Sequence, residues 1–259
     1  ETTLLEQARL RAELQTEQAV SQLKTRLMER ISHEFRTPMT IIAMSGEMLE
    51  RYFDRMTPDQ RRERLQQIRA EIKRMKQMMD DVALALQGKF DQLDFRPAPF
   101  DLEALCYSVA ARTAQAYGVD DVIQITVRGD LTAVMGDRQR VELILTNLLT
   151  NALKYSPPNT PVLLAAYRKV DEVVLTVTDH GPGIDPQDQP HIFEPFFRGA
   201  RSSEQVSGLG LGLRIAQDAA AAHGGTITVA SAIGQGASFT VRLPLSGAVP
   251  ADHALQVCS

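Results

Sequence analysis

Hydrophobic residues in the first third of the chain recur with a helical period. They predict one long helix from near the N-terminus to about Phe53, and a second that begins at Thr57-Pro58, an N-cap followed by proline at the first helical position. The spacings in the second helix alternate between three and four, as in a heptad seam. The two apolar stripes are Leu23, Leu27, Ile31, Phe35, Ile42 and Leu49, and Leu65, Ile68, Ile72, Met75, Met79, Val82 and Leu86.

A two-helix hairpin cannot bury both stripes by itself. Two hairpins from two chains can do so by forming a four-helix bundle, so the pattern favours a homodimer through residues 23–95. The alternative is packing of the hairpin against the second half of the same chain.

The pattern changes at Phe95-Arg96-Pro97-Ala98-Pro99, where two prolines stop a helix. Beyond this point helical and strand patterns alternate, which predicts an α/β sandwich of the α+β type. Predicted helices cover Asp101–Tyr117, Asp137–Lys154 and Gly208–Ala222; predicted strands cover Val122–Val127, Val162–Arg168, Val173–Thr178, Thr226–Ala230 and Ser238–Leu243. The predicted organisation is a helical connector (1–22), a helical dimerisation domain (23–95), an α/β domain (96–246) and a loose tail (247–259).

Composition agrees with two folded domains of different kinds. The 259 residues are 44% hydrophobic and 23% charged, which argues against a disordered or fibrous chain. Of 16 glycines only Gly46 and Gly88 precede residue 93, whereas eight of nine methionines precede residue 80. The net charge of −4 gives no reason to expect a nucleic acid or an anionic membrane as partner.

Two further features concern the cellular setting. Apolar runs fall short of the roughly 20 residues of a membrane helix, so we expect no membrane contact within this fragment. Cys106 and Cys258 form no CxxC pair, which argues against a disulfide framework and a cysteine-based zinc site and favours a reducing cytoplasm. The longer protein to which the segment 1–22 connects would be either membrane-bound or soluble.

His33 lies on the polar side of the first predicted helix. At about 100° per residue it falls opposite the apolar stripe, while Thr37 follows one turn later on the same face. Glu34 is its neighbour in sequence, and Pro38 removes a backbone donor just beyond. A solvated surface histidine is the ordinary interpretation of such a residue in isolation.

The helix predicted at 137–154 has a polar face at spacing i, i+4, i+7. Asn147, Asn151 and Lys154 share this face. Two amide oxygens and a cation suit a Mg²⁺–phosphate complex. A plain solvated face is equally compatible with this spacing, because the opposite face is apolar.

Three further segments suit a nucleotide. Asp179-His180-Gly181-Pro182-Gly183-Ile184 follows a strand, so its carboxylate can accept from an exocyclic amine while the backbone passes close to a ring. Gly208-Leu209-Gly210-Leu211-Gly212-Leu213 enters a helix, where backbone N–H groups can approach phosphates. The aromatic segment Ile192–Arg198 lies between them and could also be a satellite hydrophobic cluster. Neither a dinucleotide-binding fingerprint nor a P-loop is present in the sequence.

The segment Ser32-His33-Glu34-Phe35-Arg36-Thr37-Pro38 resembles the phospho-acceptor box of sensor histidine kinases. The resemblance implies that a ring nitrogen of His33 attacks the γ-phosphate of ATP. It implies that Glu34 holds the other ring nitrogen, as the third member of a catalytic triad does. Glu34 and Thr37 also resemble the family's phosphatase signature, in which Thr37 would position a water molecule.

The four segments of the second half resemble, in order and spacing, the nucleotide-binding boxes of the histidine kinase ATP-binding domain, whose fold is shared with gyrase, Hsp90 and MutL. The resemblance implies that Asp179 contacts adenine, that Asn147 and Asn151 serve Mg²⁺, and that residues 185–207 form a lid. The ATP-binding set that it implies is Asn147, Asn151, Lys154, Tyr155, Asp179, Gly181, Gly183, Ile184, Phe197, Gly208, Leu209, Gly210, Leu211, Gly212 and Leu213.

The function that these features predict is an ATP-dependent protein-histidine kinase. It would phosphorylate His33, pass the phosphoryl group to an aspartate of a response regulator receiver domain and also dephosphorylate that regulator. An ATP-driven clamp or hydrolase of the same fold is the first alternative, although those proteins lack a helix with the His33 box. A non-enzymatic dimeric scaffold is the second, although it predicts the loss of histidine, asparagine or glycine positions that are all present.

Overall fold

The computed structural model describes residues 31–86, 95–119, 121–199 and 209–245. The chain divides into two compact units, one with the N-terminal helices up to Asp80 and one with most of the chain from Asp81 onward. The predicted connector and tail, together with Leu23, Leu27 and Gly208, lie outside the described residues.

The first unit is an antiparallel helical hairpin. Helix α1 covers residues 31–52, a 3₁₀ turn follows at Phe53–Arg55, and helix α2 runs over Pro58–Leu86. The predicted N-cap is confirmed: Thr57 Oγ1 accepts from the Gln60 N–H (3.3 Å), and Gln60 Oε1 accepts from the Thr57 N–H (2.9 Å). This reciprocal capping box fixes where α2 begins. None of the helices in the described ranges has the length and apolar character needed to cross a bilayer.

The packed face of α1 extends the predicted stripe. Ile31, Phe35, Ile42 and Leu49 are half-buried, whereas the fully buried positions are Pro38 and Ser45. Both fall in the same stripe, three residues after Phe35 and Ile42 respectively. Ser45 donates to Oε1 of Gln67 on α2 (3.3 Å), so a hydroxyl sits where the hairpin is most closely packed.

The second unit is built on a five-stranded sheet. Its strands are β2 (Ile123–Arg128), β4 (Val162–Arg168), β5 (Glu172–Thr178), β6 (Thr226–Ser231) and β7 (Ala237–Pro244). Their order in the sheet is β2-β4-β5-β7-β6. Strand β2 pairs parallel with β4, and the other neighbours are antiparallel.

Three helices cover one face of this sheet. They are α3 (Leu102–Tyr117), α4 (Arg138–Tyr155) and α5 (Gly212–Ala221). Their apolar sides form one core with alternate strand residues such as Leu164, Leu175 and Val241. The predicted sandwich is therefore confirmed, and Asp101 caps α3 by accepting from the Ala104 N–H (2.8 Å).

Two features of this unit differ from the sequence prediction. Strands β1 (Ala98–Phe100) and β3 (Val134–Gly136) form a small antiparallel pair that was not predicted. The third helix was predicted to begin at Gly208, but α5 begins at Gly212. The reason is Gly210, whose φ of 71° is left-handed and cannot continue into an α-helix.

A buried histidine joins the end of α5 to the start of α4. Nε2 of His223 accepts from the Asp137 N–H (2.9 Å), and its Nδ1 donates to the Ala219 carbonyl (2.9 Å). The pKa of His223 is lowered, chiefly by burial. Asp137 in turn caps α4 by accepting from the Gln139 and Arg140 N–H groups. The N-terminus of α4 is therefore held from two sides.

Candidate functional site

The polar face of α4 forms one wall of a cavity in the second unit. Asn151 and Tyr155 line the cavity one helical turn apart, and Asn147 lies one turn before Asn151. Nδ2 of Asn147 donates to the Leu143 carbonyl (2.9 Å), which leaves its Oδ1 directed away from the helix backbone. Nζ of Lys154 lies 5.4 Å from the centre of the Tyr155 ring.

The start of α5 lies against this polar face. A Cβ atom on Gly212 would stand 2.7 Å from Oδ1 of Asn147, closer than side-chain carbons approach. A side chain at position 212 would therefore displace the Asn147 amide, and glycine lets the first turn of α5 lie against α4 with this amide in place. This contact brings the asparagine face and the glycine-rich segment together, as the sequence predicts.

Asp179 is the most deeply buried polar residue of the cavity lining. The residue is only 7% exposed, and its Oδ1 accepts from the N–H groups of Gly181 (2.8 Å) and Ala237 (3.1 Å). Burial raises the pKa of this carboxyl group, while the two hydrogen bonds act in the opposite direction. Because Oδ1 holds both backbone donors, Oδ2 is the oxygen available to a ligand.

The remaining cavity wall comes from the loop after β5, from Leu213 of α5 and from β7. Its residues are mostly apolar, apart from two aspartates and an arginine. The complete lining is Asn151, Tyr155, Asp179, Pro182, Gly183, Ile184, Asp185, Asp188, Ile192, Phe197, Arg198, Gly199, Leu213, Ala237 and Phe239. A mostly apolar cavity lined by a buried carboxylate and by the Asn151 amide suits a planar heterocycle with a polar extension.

Seven of the predicted nucleotide residues line this cavity: Asn151, Tyr155, Asp179, Gly183, Ile184, Phe197 and Leu213. The predicted residues that are described but do not line it are Asn147, Lys154, Gly181, Leu209, Gly210, Leu211 and Gly212. Ala237 and Phe239 were missed, although strand alternation places both on the helix-facing side of β7. The glycine turn Gly234–Gly236 just before them is the local signal that points to this part of the chain.

The first unit carries the predicted histidine box. His33 and Thr37 are both exposed on α1, one turn apart. The side chain of Glu34 is only 13% exposed, and its Oε2 lies 3.9 Å from Nη2 of Arg74 on α2. Nη1 of Arg74 lies 3.6 Å from Glu71, so the arginine links the two helices beside the histidine. Arg74 had no signal in the sequence, because its partner lies on the other helix.

Family comparisons agree with both units. Residues 23–87 match the family "His Kinase A (phospho-acceptor) domain". Residues 136–247 match the family "Histidine kinase-, DNA gyrase B-, and HSP90-like ATPase".

Curated proteins and solved structures give the same result. The chain is 30% identical to the adaptive-response sensory kinase SasA of Synechocystis over 86% of its length, and covers 60% of that protein. It is 33% identical to the probable sensor histidine kinase TcrY of Mycobacterium tuberculosis over 93% of its length, and covers 50% of that protein.

The fold resembles that of full-length ShkA, solved in complex with AMPPNP. The TM-score is 0.57 and the identity 29%, over 85% of this chain and 46% of that one. The chain thus corresponds to only part of each of these three proteins. With the phospho-acceptor helices and the ATPase-type domain in the same order, it belongs to the histidine kinase family, of which it forms a catalytic core.

Proposed function

We propose that this chain is an ATP-dependent protein-histidine kinase core that phosphorylates itself on His33 and passes the phosphoryl group to an aspartate of a response regulator receiver domain. The observation that carries the proposal is the presence of an exposed His33 on α1 in the same chain as a cavity lined by the buried Asp179. A nucleophile and a nucleotide pocket are the two parts that phosphoryl transfer requires.

The proposed reaction begins with a neutral imidazole. The lone pair of one ring nitrogen attacks the γ-phosphorus and forms an N–P bond, while the bond to the β–γ bridging oxygen breaks and ADP leaves. The ring would become cationic, so the proton on its other nitrogen must be removed. Glu34 is the adjacent carboxylate and is assigned this role.

In the second unit we assign adenine recognition to Asp179, since a buried carboxylate oxygen can accept from the exocyclic amine. Asn147 and Asn151 fit Mg²⁺, because oxygen donors suit this ion and the Asn147 amide is already oriented by Leu143. Bound Mg²⁺ would neutralise charge on the phosphates. Lys154, Tyr155, Gly181, Gly183, Ile184, Phe197 and the segment 208–213 are assigned to the rest of ATP.

The proposed domain organisation follows the composition change at the prolines. Residues 1–22 would form the connector, 23–95 the dimerisation and phosphotransfer domain, 96–246 the ATP-binding domain and 247–259 the tail. We place the fragment in the reducing cytoplasm because it has only two cysteines. One of them, Cys106, is buried, and burial raises the pKa of its thiol to about 12.

We propose that the hairpin dimerises through the apolar side that a single chain leaves open. Leu65, Ile72 and Met79 on α2 are 47%, 54% and 61% exposed, and Met39 on α1 is 50% exposed. An apolar groove between the helices is lined by Met39, Ile42, Ala43, Ile72, Met75, Lys76 and Met79. An identical hairpin presents the same stripe, so a second copy can cover it.

The variant Ile72→Asp is expected to convert the dimer into monomers. Burial of an isoleucine side chain is worth about 1.5–3 kcal/mol, and the substitution acts in both copies while placing two carboxylates in the seam. Light scattering coupled to size exclusion measures the change in mass.

The matched control is Ala70→Asp, which introduces the same side chain at an exposed position roughly 160° away around α2. It should remain dimeric. An Ile72→Asp variant that stays fully dimeric, with an unchanged melting temperature, would exclude this seam as the interface.

Glu34 and Thr37 are expected to separate the two opposing activities. Glu34→Gln keeps the size of the side chain beside Arg74 but removes the base, so autophosphorylation should slow by about 100-fold. Thr37→Ala should leave autophosphorylation nearly unchanged and slow dephosphorylation of the regulator, because the exposed hydroxyl is assigned to orient water. Both rates are measured on both variants with the cognate regulator.

Glu47→Gln, at an exposed position on the same helix, is the control and should alter neither rate. The assignment of roles is wrong if Thr37→Ala loses autophosphorylation as severely as Glu34→Gln, or if it leaves dephosphorylation unaffected.

The direct test of the proposed function is incubation of the chain with γ-labelled ATP and a panel of receiver domains. The expected result is an acid-labile, base-stable label on the chain that moves to one receiver and becomes base-labile there. ATP hydrolysis without a labelled protein would instead indicate a hydrolase of the same fold.

A further inference from the structure

We propose that Ser231 is a positioning residue of the nucleotide pocket. It lies at the end of β6, outside the lining of the cavity, and neither its strand nor its own position was assigned to the site above. The inference rests on the proposed function, since it concerns the pocket in which ATP would bind.

The hydroxyl of Ser231 connects the loop after β5 with the turn between β6 and β7. Its Oγ accepts from the Ile184 N–H (2.9 Å) and donates to the Gly236 carbonyl (2.6 Å). One side chain therefore uses both its proton and an oxygen lone pair on backbone groups. The loop after β5 and the turn between β6 and β7 are held at a fixed separation.

Both hydrogen-bond partners of the Ser231 hydroxyl belong to, or adjoin, residues that line the pocket. Ile184 is a lining residue. Gly236 precedes Ala237, whose N–H donates to Oδ1 of Asp179 (3.1 Å). The Ser231 hydroxyl thus fixes one wall of the cavity and also one of the two donors that orient the buried carboxylate.

Neighbouring hydrogen bonds also hold the loop after β5 against the end of β6 and the turn that follows it. Nε2 of Gln189 donates to the carbonyls of Ser231 (3.1 Å) and Ile184 (3.3 Å). The Gly234 N–H donates to the Pro182 carbonyl (2.7 Å). The loop after β5 is therefore joined to the end of β6 and to the turn between β6 and β7 by several hydrogen bonds. The Ser231 hydroxyl bonds to both the loop and the turn.

Loss of this hydroxyl should affect the pocket more than the sheet. Ser231 pairs with Ala237 through backbone groups, and these bonds do not involve the side chain. Ser231→Ala would leave the Ile184 N–H without its acceptor and the Gly236 carbonyl without its donor. We therefore expect weaker ATP binding in a chain that still folds.

Ser238→Ala is the matched control. It removes the same hydroxyl from the adjacent strand β7, where Oγ of Ser238 lies 2.9 Å from Oγ1 of Thr178. Since Ala237 and Phe239 line the cavity, strand alternation places Ser238 on the opposite face of the sheet. The control therefore matches the cost of losing a hydroxyl hydrogen bond but leaves the Ser231 bonds to Ile184 and Gly236 intact.

The experiment measures the KM for ATP and the kcat of autophosphorylation, together with the Kd for ATP by calorimetry. Ser231→Ala should raise both KM and Kd by about tenfold, the scale of one lost hydrogen bond with unpaired partners, and leave kcat within about twofold. Ser231→Thr retains the hydroxyl and should restore KM to within about threefold of the wild-type value. A purely structural role would not produce this division between KM and kcat.

An unchanged KM for Ser231→Ala, or a rise that Ser238→Ala equals, would overturn the inference. So would a Ser231→Thr variant that folds like the wild type but is as weak as Ser231→Ala. These results differ from failure of the proposed function, in which the wild-type chain itself would either bind no ATP or hydrolyse it without becoming labelled.

Discussion

Replacement of His33 by alanine is expected to abolish phosphorylation of the chain by ATP. His33 is exposed on α1, and no other side chain is assigned as nucleophile in the proposed reaction. The stoichiometry of acid-labile label should fall to background, a loss of about 1,000-fold or more, because an essential nucleophile has no partial substitute. Radiolabelling at saturating ATP, with quantification after acid and after base treatment, measures the effect.

The substitution lies on a helix surface, so it should leave the affinity for ATP and the melting temperature unchanged. Thr40→Ala is the matched control, because Thr40 is exposed on the same face of α1 two turns after His33 and bonds only to the Arg36 carbonyl among its described contacts. Label at normal stoichiometry on the His33→Ala chain would refute the assignment.

The variant Asp179→Asn is expected to weaken ATP binding by about 100-fold or more, the scale on which a buried donor left unpaired acts. Oδ1 accepts from two backbone N–H groups, so the amide oxygen of asparagine must occupy that position. The amide NH₂ then replaces Oδ2 and directs a donor at the exocyclic amine of adenine, which is itself a donor. Isothermal titration calorimetry measures the change in Kd.

Asp171→Asn is the control for this variant, since Asp171 is exposed in the turn between β4 and β5. It should bind ATP like the wild type. An Asp179→Asn chain with wild-type affinity would show that the carboxylate does not contact the nucleotide. Burial raises the pKa of Asp179, so its carboxylate becomes protonated at a higher pH than an exposed aspartate would. As the solution is acidified, the affinity for ATP should therefore begin to fall at that higher pH.

Much of the fold could be predicted because the decisive residues act locally. Asp101 and Thr57 bond to backbone groups three residues ahead, so the sequence alone indicates where α3 and α2 begin. The paired strands β4 and β5 are short, nearly continuous apolar runs, and they were predicted with their observed ends to within one residue. These features depend on contacts within a short stretch of chain.

The errors arise where distant contacts decide the structure. Strand β1 exists because Phe100 pairs with Val134, and a strand of three residues has no periodicity of its own. Ser45 appeared polar and was left out of the stripe, yet its bond to Gln67 on the other helix allows its burial. His223 lacked any local signal, because its partner Asp137 lies far away in sequence.

In the candidate site, too, some residues are indicated by local pattern and others are brought there only by distant contacts. The glycine and asparagine spacings indicated the chemistry, since those residue types are needed close to phosphates. Ala237 and Phe239 line the cavity for a different reason: β7 is the neighbour of β5 in the sheet, which places them beside Asp179. Strand order cannot be obtained from local pattern, so these residues were missed.

The exposed residues of α2 also determine the shape of the proposed dimer. Leu65, Ile72 and Met79 recur every seven residues, whereas an α-helix completes two turns in 7.2 residues, so the stripe drifts by about 20° per heptad. To stay in contact, the two α2 helices must wind around each other in a left-handed supercoil. Over the 29 residues of α2, about 43 Å, a supercoil pitch of about 150 Å corresponds to roughly a quarter of a turn.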